Sequence, residues 1–196
     1  MDPRLAPALR EMHRLLVEAE VQIHTSIRFA LLDGLAVSTW GVIRSTQGID
    51  FLANSDPTPL HDLGLRDKLK QFIVQQNSHA DWRVGDHDDP IPLLLKIELP
   101  PTFGNVGADI IWAHKRWQRE ALQRSINVDV DGTEIPVLHP EDLILSKLEA
   151  GGPQDFLDAE ELLSAAPPQL NLTRLKDTAA RLRLGKVLEK CLRELT

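Results

Sequence analysis

The chain has 196 residues, 42% of them hydrophobic and 26% charged, with a formal net charge of −7. That apolar content is enough for a sizeable core with at most a helical appendage, and the acidic balance disfavours a protein whose whole surface clamps nucleic acid. Cys191 is the only cysteine, so no intramolecular disulfide forms; with no apolar run of signal or membrane length, the expectation is a cytoplasmic protein without a membrane partner.

Residues 4–20 place Leu5, Leu9, Met12, Leu15 and Leu16 at helical spacing and predict an amphipathic helix that covers a sheet. The apolar run 29–32 predicts a strand that stops at Asp33-Gly34. Residues 35–42 have helical composition, and 49–53 is apolar again with one acid, Asp50, inside it. The Pro/Asp-rich stretch 54–62 predicts a surface loop. A second amphipathic helix is predicted over 63–76, marked by Leu65, Leu69, Phe72 and Ile73. Strands follow at 81–84 and 93–99 around a turn at 85–90, and the apolar stretch 107–112 carries Asp109. Residues 115–124 read as helix, and Asp131-Gly132 between 127–130 and 133–137 is a hairpin signal. Helices fill the remainder: 140–150 with Pro140 in its first turn, 154–165, and two between 172 and 195. The order predicts a mixed α/β (α+β) fold in a single domain. Its core spans about 25–113 behind an N-terminal helix, and a hairpin and helical extension span about 114–196.

The unit 29–53 carries the chemical information. Backbone N–H groups at a helix start beside a glycine cradle phosphates, and a carboxylate on the next strand holds Mg²⁺ against them. Asp33-Gly34-Leu35-Ala36-Val37, then Gly41, Arg44, Thr46 and Gly48-Ile49-Asp50-Phe51-Leu52 make up this unit. Together they resemble the first motif of the nucleotidyltransferase superfamily, which has the polymerase-beta-like fold. The resembling branch is the one related to abortive-infection toxin nucleotidyltransferases, approximately GGLAVxxxGxxRxTxDIDLL. Three later stretches follow in the family's order: Gly85-Asp86-His87-Asp88-Asp89-Pro90-Ile91, Gly107-Ala108-Asp109-Ile110-Ile111, and Pro140-Glu141-Asp142-Leu143-Ile144 through Lys147 to Asp155-Phe156-Leu157-Asp158.

The resemblance implies transfer of a nucleoside monophosphate from Mg-NTP to an RNA, protein or small acceptor. It implies Asp50 and Asp109 as catalytic groups and Mg²⁺ ligands, with Gly34, Arg44 and Thr46 around the phosphates. Lys147 is then the catalytic cation against the triphosphate, with Asp155 and Asp158 facing the nucleotide pocket. Plainer roles exist for several of these: Lys147 and Asp155 at helix ends, where they meet the helix dipole, and Arg44 paired with Asp50. Asp86, Asp88 and Asp89 read as a solvated turn, and Trp40, Trp112 and Trp117 as core. Lys115, Arg116 and Arg119, together with Arg174, Lys176, Arg181, Arg183, Lys186, Lys190 and Arg193, read as solvated helix faces, with RNA contact as the alternative.

Three departures from the pattern bear on activity. Gly48 stands where the family carries the first of two strand acids, Asp33 where it has the first glycine, and Gly152 where an arginine is common. Residues i and i+2 of a strand share a face, so position 48 presents nothing beside Asp50. Mg²⁺ takes one or two protein carboxylates plus phosphates and water, which Asp50 and Asp109 supply, whereas two-metal transfer asks for more. An Asp33 carboxylate about 4 Å from a phosphate charge opposes it by ~4 kcal/mol at an effective dielectric near 20. Alternatively Asp33 is the N-cap of a helix starting at Gly34, or a relocated ligand. The expectation is a nucleotidyltransferase fold with weak or absent activity; the alternative is a non-catalytic binding or regulatory module, toxin–antitoxin-like.

Overall fold

The computed structural model describes residues 2–42, 46–86, 89–130 and 132–195. The strands are β1 (Ile27–Leu32), β2 (Gly48–Ser55), β3 (His79–Val84), β4 (Leu93–Glu98), β5 (Gly107–Trp112), β6 (Ile126–Val130) and β7 (Thr133–Val137). They form one mixed sheet in the order β3-β4-β5-β2-β1-β7-β6. The helices are α1 (Leu5–Ile23), α2 (Asp33–Thr39), α3 (Leu63–Gln75), α4 (Arg116–Arg124), α5 (Pro140–Ala150), α6 (Pro153–Ala165), α7 (Leu172–Arg181) and α8 (Gly185–Glu194). This is the mixed α/β architecture the sequence predicts.

Register decides which residues share a face. Leu31 pairs with Phe51, Phe51 with Ile110, Ile110 with Leu95 and Leu95 with Trp82, which makes one row across five strands. Leu31, Phe51, Ile110 and Leu95 of that row are buried to within 1% exposure, each worth roughly 1.5–3 kcal/mol relative to exposure. α1 and α3 cover it: the His13 ring meets Phe29 edge-on, and Trp82 Nε1 donates to the Arg66 carbonyl at 3.1 Å. The neighbouring row points to the opposite face and reads Leu32–Asp50–Asp109–Lys96–Asp81.

Local chemistry ends these elements where the sequence lets it. α1 runs on to Ile23 and stops at His24, whose backbone turns left-handed (φ 52) and returns its N–H to Glu20. Asp62 caps α3, accepting from the Leu65 N–H at 2.9 Å. β2 extends to Ser55, into the stretch expected as loop, because its partners on β1 continue pairing to Ile27. The 126–137 hairpin joins the same sheet as the acids. Leu31 pairs in parallel with Val137, and Trp40 Nε1 donates to the Leu138 carbonyl at 3.0 Å, tying the end of α2 to it.

The C-terminal helices attach through buried charges. Asp142, 1% exposed on α5, meets Arg124 at 2.6 Å, and its carboxyl is pushed up by burial against the pull of that guanidinium. Glu141, also 1% exposed, accepts from the Asn171 N–H at 2.6 Å and from Arg174 at 2.7 Å, so Arg174 anchors α7 and is not on a solvated face. Trp40, Trp112 and Trp117 are core residues, as their positions predict. Among the described residues no helix is long and apolar enough to cross a membrane.

Candidate functional site

Asp33 occupies a backbone position that suits glycine. Its φ of 56 lies in the left-handed region, where glycine is the default and aspartate is among the few tolerated alternatives. Asp33 keeps the turn and adds a carboxylate. It is the first residue of α2, with Leu32 at the cap position, and not a cap ahead of a helix starting at Gly34. Its carboxylate instead accepts from Lys147 Nζ. Gly34 is buried in the first turn of α2, behind it.

Lys147 is enclosed. Its side chain is 5% exposed, and beyond Asp33 its ammonium meets Asp158 at 2.8 Å and Asp155 at 3.1 Å. Burial opposes the charge, but the hydrogen bonds the ammonium donates to Asp158, Asp33 and Asp155 outweigh it, leaving the lysine pKa raised. Asp155 also accepts the Gly152 N–H at 3.2 Å, closing the start of α6, and Asp158 accepts from Gln154 at 3.1 Å. The structure thus brings Lys147, Asp155 and Asp158 together with Asp33 as one clamp between α2, α5 and α6.

Asp50 and Asp109 stand side by side on parallel neighbours β2 and β5, at a strand spacing of about 4.8 Å. They line a cavity of 520 Å³ with Gly48, Asp81, Lys96 and Glu98. Burial pushes the Asp109 carboxyl up, partly offset by Lys96 and Arg83. Gly48 begins β2 next to Gly107, and a Cβ placed on it would meet only the Gly107 carbonyl, at 3.4 Å, so the backbone there accepts a side chain. Thr46 Oγ1 donates to the Gly48 carbonyl at 3.3 Å. Arg44 and Asp88 lie outside the described residues. Among the described residues no group of three or more His, Cys, Asp or Glu side chains is placed to hold a metal.

Two residues further along the same face, Leu52 and Ile111 floor a second cavity of 300 Å³ whose other walls include Leu32, Trp117, Asp33 and Lys147. The acid pair and the Lys147 clamp therefore border one stretch of sheet surface. Lys96 and Glu98 join this face without a motif to mark them. Their signal is the alternation Leu95-Lys96-Ile97-Glu98, in which the apolar members are buried and the charged ones face the acids' side.

No family model matches this chain, and no curated protein sequence matches it. Solved structures do. A provisionally assigned nucleotidyltransferase from Thermotoga maritima is similar at a TM-score of 0.52 and 13% identity, covering 77% of this chain and 87% of that one. The nucleotidyltransferase ANT(2″)-Ia, in complex with adenylyl-2″-tobramycin, is similar at a TM-score of 0.51 and 12% identity, covering 88% of this chain and 95% of that one. The fold is that of the nucleotidyltransferases.

Proposed function

We propose that this chain binds a nucleoside triphosphate with Mg²⁺ on the acid-bearing face of its sheet, and that it is a nucleotidyltransferase whose transfer step is weak or lost. The observation that carries this reading is the in-register pair Asp50 and Asp109, within a nucleotidyltransferase fold. Two neighbouring carboxylates fit one hard cation that completes its shell with phosphate oxygens and water. Asp50 and Asp109 would hold that ion, which supplies charge neutralisation to the phosphates. Gly34 and Thr46, with Arg44, lie on the segment assigned to the phosphates, and the acceptor is a hydroxyl of RNA, protein or a small molecule. The reaction joins that oxygen to the α-phosphorus and releases pyrophosphate.

Weakness follows from Gly48, which leaves no place for a second ion, and from Lys147, whose ammonium is shared among three carboxylates. The same two features support a second reading, a binding or regulatory module of toxin–antitoxin type that keeps the nucleotide cleft without turnover. Calorimetric titration of the four NTPs with and without Mg²⁺ tests the proposal. The expected result is Mg²⁺-dependent binding that Asp50→Ala abolishes. Metal-independent binding that Asp50→Ala leaves intact would contradict it.

A further inference from the structure

Resting on the nucleotide reading above, we infer that Lys96 is the cation that meets the phosphates at the acid pair, in the part the family resemblance gives to Lys147. Lys147 is unsuited to that part as it stands. Its side chain is 5% exposed and three carboxylates already surround its ammonium, so a phosphate oxygen would have to displace one of them. Lys96 is the reverse case. It lies on β4 directly in register with Asp109, which is itself in register with Asp50, so the three stand in one row on one face.

The other acid in the row with Lys96 has partners of its own, and Glu98, two residues along the same face, forms no ion pair with it among the described residues. Asp81, the next member of the row, is held by Lys70 at 2.7 Å and by His79 at 3.3 Å. Among the described residues no carboxylate closes an ion pair with Lys96, and its side chain helps line the 520 Å³ cavity over the acids. A lysine ammonium is a compact point charge on a flexible stem, suited to following phosphate oxygens. One strand spacing of about 4.8 Å separates its backbone from that of Asp109, so an anion lying on an ion between the two aspartates is within its reach. With Gly48 leaving room for a single divalent ion, a fixed positive charge one strand away takes over part of the neutralisation a second ion would supply.

The ligand chemistry is therefore a di- or triphosphate carried on a divalent cation. It could come from a nucleotide or from free pyrophosphate, and the test separates these. Calorimetry is run with each of the four Mg-NTPs, with Mg-pyrophosphate and with Mg²⁺ alone, on wild type, Lys96→Met, Lys96→Arg and Asp50→Ala. Lys96 is exposed, so both variants at this position retain the fold, checked by circular dichroism. Lys96→Met is expected to weaken Mg-NTP binding by about tenfold or more, as loss of a charged hydrogen-bond donor does, while Lys96→Arg stays near wild type. Mg²⁺ alone should bind the Met variant no more weakly than wild type, since the lysine is not a ligand. Equal loss for Mg-pyrophosphate means the phosphates alone are recognised; loss for Mg-NTP only means the nucleotide is. Either supports the inference. Mg-NTP binding that needs Asp50 but is unchanged in Lys96→Met overturns the inference and leaves the nucleotide reading standing. Wild type that binds no Mg-NTP overturns both.

Discussion

Asp33 and Lys147, 114 residues apart in the chain, meet in an ion pair that joins the first turn of α2 to α5. The pair recasts the substitution at position 33. A carboxylate in that turn is compensated from within the protein, by the Lys147 ammonium. Asp155 and Asp158 complete the arrangement, so three acids share one buried ammonium.

Removing that ammonium should cost stability more than binding. Lys147→Met takes from Asp158, 0% exposed, the ammonium it meets at 2.8 Å, and breaking a buried pair from one side costs about 3–5 kcal/mol. Chemical denaturation is expected to show a loss of that order. A second change, Asp158→Leu, should recover part of it by removing the buried carboxylate that the lysine met. A Lys147→Met protein as stable as wild type would show that the clamp contributes nothing.

The same clamp sets an alkaline limit. The Lys147 pKa is raised in the fold above its ordinary value of 10.5, so its contribution to stability is fully present below that value and is lost as pH climbs through the folded value. The unfolding free energy attributable to Lys147 should stay flat from neutral pH to about 10 and fall beyond it, on the side where the unfolded lysine has already lost its proton. Comparing wild type with Lys147→Met across that range isolates the slope. A contribution that instead disappears on acidification toward neutral pH would mean another group carries it.

α7 is held by Arg174 on Glu141. Arg174→Met should destabilise the chain by on the order of 3 kcal/mol, because Glu141 is 1% exposed and, among the described residues, keeps the Asn171 N–H and the adjacent His139 ring. Hydrogen exchange over residues 172–195 is the direct readout, with faster exchange expected there than in the sheet. Uniformly unchanged protection would assign Arg174 to the surface.

Much of this architecture is legible in the sequence. Periodicity, composition and turn signals place the seven strands and the first six helices to within a few residues, because patterns such as the alternation in β4 and the 3.6-residue repeat of α1 are strong and local; α7 and α8 are legible only as two helices within 172–195, and the short 3-10 turn Pro101–Phe103 carries no such signal. Register is not local. That Asp50 and Asp109 stand side by side, and that Lys96 joins their row, depends on how β2, β5 and β4 pair across 60 residues of chain, which composition does not encode. The left-handed backbone at Asp33 was hidden for a related reason: aspartate is common both at helix caps and at positive φ, and only the pairing with Lys147 separates the two roles. The pairing of the 126–137 hairpin with β1 was likewise invisible, since the hairpin's own turn signal says nothing about its neighbour.

The central claim, a nucleotidyltransferase site weakened at two identifiable positions, is tested most directly by restoring both. Gly48→Asp places a second acid on the face of Asp50, where only the Gly107 carbonyl lies near, at 3.4 Å. Asp33→Gly suits the left-handed backbone and releases Lys147 from one of its three carboxylates. Calorimetric Mg-NTP binding to the double variant, read beside wild type, is the measurement. The account predicts binding at least about tenfold tighter, the order gained by adding one charged contact, and predicts that adding Asp50→Ala erases the gain. Micromolar Mg-NTP binding by wild type that Gly48→Asp weakens would contradict it, and would make the present residues a working site of their own.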